Sequence, residues 1–294
     1  MSVCREWTTG NGRKHFLIIV ARVVVKEGQL QAGLIVLIKG AGEQASGVAH
    51  RLSCCHCKVV MAELPFPLAE RREVAFCEAV YEGQKEVEGL VAELVQTTAD
   101  IRRIWCDNKL PILTCDADMV EHDMIPQVVV DGTMVKRNIG TRITEAPLVI
   151  GLGVGFEAGV DVHAVVETNR GHNLGRVIYQ GRAESNTGIP DEISGLTIER
   201  VFHAPKTGRF FACKKIGDYV EAGEVVAYTD EIPIKSKISG VVRGILRDGI
   251  EVRKGVKAGD IDPRGIKEYC FSISDKPRAI AGGVLEAILH RFGG

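Results

Sequence analysis

Two patterns predict an α/β chain in which a Rossmann-like parallel sheet is followed by a small all-β barrel-sandwich domain and a C-terminal helix. In the first, the apolar run Leu34-Ile35-Val36-Leu37-Ile38 enters Gly40-Ala41-Gly42-Glu43-Gln44-Ala45-Ser46-Gly47, and Glu63 closes a second apolar run 23 residues after Gly40. In the second, Gly208, Gly217, Val220 and Gly223 recur without gaps as Gly240, Gly249, Val252 and Gly255, each 32 positions later. The chain has 294 residues, enough for two domains that each bury a core, and its character changes near residue 196. The expected units are a leader at 1–32, a nucleotide-binding α/β domain at 33–195, and the barrel-sandwich with its terminal helix at 196–294.

In the leader, residues 16–25 are apolar apart from Arg22. That run is shorter than the roughly 20 residues that cross a bilayer. Lys26-Glu27 follows where an export signal would carry a small-residue cleavage site. An extra edge strand or a poorly ordered leader is expected there, with no function attached. Strand 34–39, helix 43–53, strand 58–63 and a helix at 67–82 come next, Pro65 and Pro67 breaking the chain before the second helix. Residues 87–95 read as one strand. Thr98 opens a helix with Ile101, Ile104 and Trp105 on one face, and strands at 110–114, 128–130 and 147–150 complete the alternation of a helix-covered parallel sheet.

The first glycine stretch has the layout of a dinucleotide fingerprint. Gly40 permits the tight turn, Gly42 lets backbone N–H groups approach a pyrophosphate, Ala45 is small enough for helix and strand to pack, and Gly47 completes the candidate set. A pyrophosphate would sit at the helix N-terminus, where free N–H groups and the dipole favour negative charge. Glu63 is placed to accept from both hydroxyls of a ribose and to repel a 2′-phosphate.

Strand 147–150 opens onto a second glycine-rich loop with Gly151, Gly153 and Gly155, either an anion nest or a wide turn between strands. Asp161, His163, Glu167, Arg170 and His172 follow closely. If 160–168 is a strand, Asp161, His163 and Glu167 share one face and form a polar floor, with Arg170 and His172 on the next turn as further catalytic candidates. Each histidine could equally hold a backbone carbonyl, and no metal is expected here. Cys54-Cys55-His56-Cys57, with His50 one turn earlier, contains a C-x-x-C, but no second pair exists to complete a zinc site; the segment reads as a helix-to-strand connection.

The two repeat halves each read as strand, turn and strand, and neither buries its apolar face alone. Together they look like the fold of biotinyl and lipoyl carrier domains. The hairpin that would present the modified lysine falls at Ala227-Tyr228-Thr229-Asp230-Glu231 and has none, while Lys235 and Lys237 lie on the following strand. Covalent biotin or lipoate is therefore not expected. Residues 280–289 carry an apolar face at helical spacing and should dock, with Ser274 or Asp275 capping the helix and Lys276 in a salt bridge.

Apolar residues make up 45%, charged residues 26%, and the net charge is −1, which argues against nucleic-acid or membrane-surface binding and for small-molecule or protein partners. The nine cysteines show no regular framework, as expected of a chain kept reduced in the cytoplasm.

Five motifs occur in order: GAGEQASGVAHRL, ELPFPLAERREVAFCEAVYEG, VIGLGVGFEAGVDVHAVVETNRGHNLGRV, GVVRGILRDGIEVRKGVKAGDIDPRG and ISDKPRAIAGGVLEAIL. Together they resemble the accessory-protein family associated with selenium-dependent molybdenum hydroxylases, over residues 34 to 290. The chain departs from that family's usual Asp-Leu at Glu43-Gln44 and in its cysteine-rich 54–57 segment. The resemblance implies a molybdenum hydroxylase as protein partner, and a role in maturation or cofactor handling. The ligand would be a non-covalent dinucleotide, NAD or the dinucleotide form of the molybdenum cofactor. Polar residues of 160–172 would hold its reactive end, with Cys115 a candidate for handling sulfur or selenium. The alternative is an NAD-dependent oxidoreductase using His163 or His172 as acid/base. Whether the chain turns over a substrate is left open by the sequence.

Overall fold

The computed structural model describes residues 3–8, 14–19, 33–114, 117–185 and 188–293. Cys115 lies outside the described residues. Strands β1 (Val3–Thr8) and β2 (Lys14–Ile19) pair antiparallel as a sheet of their own, so the expected edge strand does not join the main sheet.

The main sheet has nine strands, interleaved with helices. In chain order these are β3 (Ile35–Lys39), α1 (Glu43–Cys54), β4 (Lys58–Ala62), α2 (Ala79–Glu82), β5 (Gln84–Val87), β6 (Leu90–Leu94), α3 (Ile101–Cys106) and β7 (Leu110–Leu113). They continue with α4 (Ala117–Met124), β8 (Val128–Asp131), β9 (Leu148–Leu152), β10 (Ala164–Val166) and β11 (Val177–Ile178). The spatial order is β11-β10-β9-β8-β3-β4-β7-β6-β5. The seven strands from β10 to β6 run parallel, and β11 and β5 close the edges antiparallel. Within this order, β7-β4-β3-β8-β9-β10 is the Rossmann arrangement, which reverses direction between β3 and β8 and opens a crevice at their carboxyl ends. Strands β8 and β9 are buried along their whole length, as continuous apolar runs covered on both faces require.

Three expectations are corrected. The 67–82 helix is two short 3₁₀ turns at Arg72–Val74 and Phe76–Glu78, followed by α2. Between the short turns its backbone is tied to other segments: the Phe76 amide donates to Ser46 Oγ at 2.8 Å and the Cys77 amide to the Ala41 carbonyl at 2.9 Å. The 87–95 strand is a hairpin of β5 and β6, because Glu88 and Gly89 both take positive φ (46° and 83°), the geometry of a two-residue hairpin turn. The 160–168 strand shrinks to β10, since the Asp161 amide folds back onto the Glu157 carbonyl at 2.9 Å and closes a turn.

The second domain holds β12 (Val201–His203), β13 (Gly208–Ala212), β14 (Tyr219–Val220), β15 (Val225–Thr229), β16 (Ile232–Lys235), β17 (Gly240–Ile245), β18 (Glu251–Val252) and β19 (Lys257–Asp262). They form two four-stranded antiparallel sheets, β12-β19-β17-β14 and β16-β15-β13-β18. The repeat becomes pseudo-symmetry: Gly208 pairs with Val252 and Val220 with Gly240, so each half lends a strand to the other. Val220 and Val252 are both buried in the shared core. At the hairpin between β15 and β16, Lys206 reaches Asp230 at 3.0 Å and Glu231 at 3.2 Å.

Helix α5 (Asp275–Phe292) returns to the first domain. Ile280, Ala281, Val284, Ala287 and Ile288 join the core under α1 and the sheet. A Cβ on Gly47 would lie 2.5 Å from the Pro277 side chain, and one on Gly283 would lie 2.2 Å from the Gly175 carbonyl oxygen, so both glycines are closest-approach points of this packing.

Candidate functional site at the carboxyl edge of the sheet

The turn from β3 into α1 is built as the fingerprint requires. Gly40 has φ +89°, its amide donates to the Ala62 carbonyl at 2.7 Å, and an added Cβ would stand 3.2 Å from the Gly132 and Thr133 backbone. Only glycine fits there. Gly42 is the N-cap of α1, no side chain caps the helix, and the space where a Gly42 Cβ would project is open. Gly42, Glu43 and Gln44 of this first turn line a cleft in front of the helix. Fully buried Ala45 lies under Gly132, where a Cβ would come within 2.9 Å of Ala45 Cβ; this is the tight helix-to-strand packing expected of it. Gly47 points away from this edge, toward α5.

Glu63, just past β4, is held by backbone: the Ala41 amide donates to Oε2 and the Leu64 amide to Oε1, each at 2.7 Å. Burial pushes its carboxyl above the usual carboxylate range, and the two amides pull in the opposite direction. Each oxygen keeps a further acceptor position.

Two contiguous clefts meet at Gly40 and Glu63. One, of about 680 Å³, is floored by Lys39 and Asp131 at the ends of β3 and β8 and also lined by Thr141. Asp131 accepts from Thr133 Oγ1 at 2.6 Å and Thr141 Oγ1 at 2.7 Å, and Lys39 Nζ sits 2.8 Å from Glu145 Oε2, which pins the loop after β8 over the crevice. The other, of about 630 Å³, lies in front of α1 and is walled by Leu64, Phe66, Met134 and Ile139. Leu64 is 69% and Phe66 80% exposed, an apolar wall beside a carboxylate.

The second glycine loop reaches the same edge, Gly151 pairing with Asp131, but its space is filled by protein. A Cβ on Gly151 would meet the Phe156 ring at 2.5 Å, one on Gly153 Thr168 Oγ1 at 2.2 Å, and one on Gly155 the Arg137 backbone at 3.0 Å. None of the three lines either cleft.

The structure does not bring Asp161, His163, Glu167, Arg170 and His172 together; four of them tie up neighbouring segments. Asp161 Oδ2 accepts from the Glu157 amide at 2.9 Å. His163 Nδ1 accepts from the Val149 amide at 3.0 Å, and burial, then Arg291, lowers its pKa. Buried Glu167 accepts from the amides of Thr168, Asn169 and Glu184. Arg170 grips Asp275 at the start of α5, and His172 is exposed on the turn. Among the described residues no group of three or more His, Cys, Asp or Glu side chains is placed to hold a metal ion, and no helix is long and apolar enough to cross a membrane.

What sequence reading missed is a set of basic residues between the two domains, Arg71, Arg200, Arg243 and Lys257, next to Glu43 and Gln44 of α1. They come from four separate segments. The one local signal was the Arg71-Arg72 pair, whose guanidinium groups donate to the Tyr269 and Ile245 carbonyls across the interface.

No family model matches the chain. Among solved structures, the ectoine utilization protein EutE (DoeB) from Ruegeria pomeroyi is 9% identical, with 88% of this chain and 93% of that one covered and a TM-score of 0.24. An aspartoacylase family protein from Mesorhizobium loti is 12% identical over 88% and 94%, with a TM-score of 0.26. The uncharacterized protein YqeB of Escherichia coli (strain K12) is 47% identical over 255 residues, which are 87% of this chain and 47% of YqeB, so the chain spans about half the length of that relative. On that identity, this chain is a homologue of YqeB.

Proposed function

We propose that the chain binds a nucleotide-bearing ligand of the dinucleotide class at the β3–α1 edge, and serves as an accessory protein in maturation or cofactor handling of a molybdenum hydroxylase. The observation that carries the binding half is the pairing of an uncapped, sterically open α1 N-terminus with the Glu63 carboxylate anchored on the same turn. The α1 amides suit a pyrophosphate, Glu63 keeps acceptor positions for ribose hydroxyls, and the wall of Leu64, Phe66, Met134 and Ile139 offers apolar surface to a base. NAD and the dinucleotide form of the molybdenum cofactor both have these parts. The accessory half rests on the family resemblance of the five motifs.

Titration of the full chain with NAD, NADP and cytidine nucleotides tests the binding half. Binding of NAD or a cytidine nucleotide in preference to NADP, weakened about tenfold in Glu63→Ala, is expected from the loss of a charged acceptor. Unchanged affinity in that variant removes the ribose role. Mass spectrometry of small molecules released from gently purified protein, together with copurification of a hydroxylase, tests the accessory half. Turnover of NAD with an alcohol or aldehyde, lost in His163→Ala, would instead support an oxidoreductase.

A further inference from the structure

Where the two domains meet, a cleft of about 470 Å³ is lined by Arg71, Arg200, Arg243, Lys136 and Lys257 together with Glu43 and Gln44 of α1. Arg71 comes from the first domain; Arg200 and Arg243 come from the second. Arg71 and Arg200 are each only 4% exposed, yet part of each guanidinium lacks a hydrogen-bond acceptor: Nε and Nη1 of Arg71, and Nε of Arg200. Arg243 Nε is buried without one as well.

The acceptors nearby serve other atoms of these groups, as when Arg71 Nη2 donates to the Tyr269 and Ser272 carbonyls, or stand too far from the unmet ones. Arg71 Nη1 stands 3.4 Å from Glu43 Oε1. Arg243 has only ion pairs of 3.9 to 4.0 Å, to Glu43, Asp260 and Asp262. Arg200 Nη1 is 3.3 Å from Asp260 Oδ2 and its Nη2 donates to the Asp191 carbonyl at 2.6 Å. Asp260 Oδ1 is itself unpaired, so the carboxylates have not saturated these cations. Burying guanidinium N–H groups without acceptors is costly, and clustering like charges adds to the cost. Burial, with Arg243 acting in the same direction, pushes both Arg71 and Arg200 below the usual arginine range.

We propose that this interdomain cleft binds a phosphate-class oxyanion, read jointly by Arg71 of the sheet domain and by Arg200 and Arg243 of the β domain. Donors arrive from three segments of the chain. A planar carboxylate has two oxygens to offer them, whereas a tetrahedral oxyanion presents three or four. The N-terminus of α1, represented by Glu43 and Gln44 on the lining, adds its dipole. Exposed Lys136 would draw the anion in from solvent. Arg71, Lys257 and the N-terminus of α1 border both this cleft and the one that holds Glu63, whereas Arg200 and Arg243 line this cleft and not the other, so Arg243 tells the two sites apart.

The test is calorimetric titration of the full chain with pyrophosphate and with inorganic phosphate, in wild type, Lys136→Gln and Arg243→Gln. Each substitution is expected to weaken pyrophosphate binding about tenfold. Lys136 is exposed, so its variant decides the matter even if Arg243→Gln fails to fold. If the anion is free phosphate, NAD and pyrophosphate bind at the same time. If it is a phosphate of the nucleotide itself, pyrophosphate competes with NAD, and Arg243→Gln weakens both. Absence of pyrophosphate binding at millimolar concentration, equal affinity in wild type and Lys136→Gln, or tighter binding of malonate than of pyrophosphate overturns the proposal.

Discussion

Ala41 and Glu63, 22 residues apart in sequence, are joined by a 2.7 Å hydrogen bond from the Ala41 amide to Glu63 Oε2. The bond fixes the glycine turn to the end of the neighbouring strand. One carboxylate thus shapes the turn and presents its remaining lone pairs to the cleft.

Removing that carboxylate should be felt without any ligand. In Glu63→Ala two amides lose a charged acceptor, and a loss of about 1 to 3 kcal/mol is expected, measured by urea unfolding. A change below about 0.5 kcal/mol, the level of an ordinary surface substitution, would mean the turn holds its shape unaided.

Gly283→Ala forces a methyl group to within 2.2 Å of the Gly175 carbonyl oxygen and 2.9 Å of Val166 Cγ1. Helix α5 must shift off the sheet, and destabilisation of about 1 to 3 kcal/mol is expected. A melting temperature equal to wild type would show that α5 slides freely at this contact.

The pseudo-symmetry of the β domain predicts matched effects. Val220→Ala and Val252→Ala each remove buried methyl groups from equivalent positions and should each cost about 2 kcal/mol. Chemical denaturation of both variants checks this; a severalfold difference between them would break the equivalence of the two halves.

Asp275 titrates at about 2, below its ordinary value, chiefly because Arg170 donates to it. A depressed acid stabilises the fold above the ordinary carboxylate range, and that contribution is lost as pH falls from about 4 toward 2. Asp275→Asn should therefore flatten the acid limb of the stability profile and lower stability at neutral pH by less than about 1 kcal/mol, the pair being partly solvated. An unchanged acid limb would show that the pair does not hold in solution.

Thiol labelling should divide the described cysteines. Cys54, Cys106 and Cys213 are exposed, while Cys57, Cys77 and Cys270 are buried. Burial raises the thiol pKa of all three buried residues, that of Cys57 to about 11, so little thiolate forms at pH 8. Pulsed alkylation with peptide mapping should modify the exposed set first; rapid modification of Cys77 would reveal an opening of the core around it.

The parallel sheet was legible because its strands are continuous apolar runs and its first turn carries glycines at diagnostic offsets. The repeat was legible because equal spacing survives as equal pairing, Gly208 with Val252 and Val220 with Gly240. The 67–82 segment misled because Pro65 and Pro67 mark a break before a helix, while Arg71 and Arg72 are drawn across to the other domain, a force that no local window contains. The 160–172 polar residues looked like a site for a similar reason. Parity along an assumed strand placed Asp161, His163 and Glu167 on one face, but a turn at Glu157 and backbone bonds to each side chain scatter them. The basic interdomain cleft has no sequence signature, since it assembles residues 43, 71, 200, 243 and 257 only when the chain is folded.

Helix α5 also sets the order in which this chain can mature during synthesis. The end of α1 at Cys54 and the start of α5 at Asp275 are separated by 221 residues. At roughly 5 to 20 residues per second, the apolar side of α1 waits about 10 to 45 seconds for its cover. During that interval a ribosome-bound chain carries a nearly complete sheet with an open seam, the condition in which nascent chains engage chaperones.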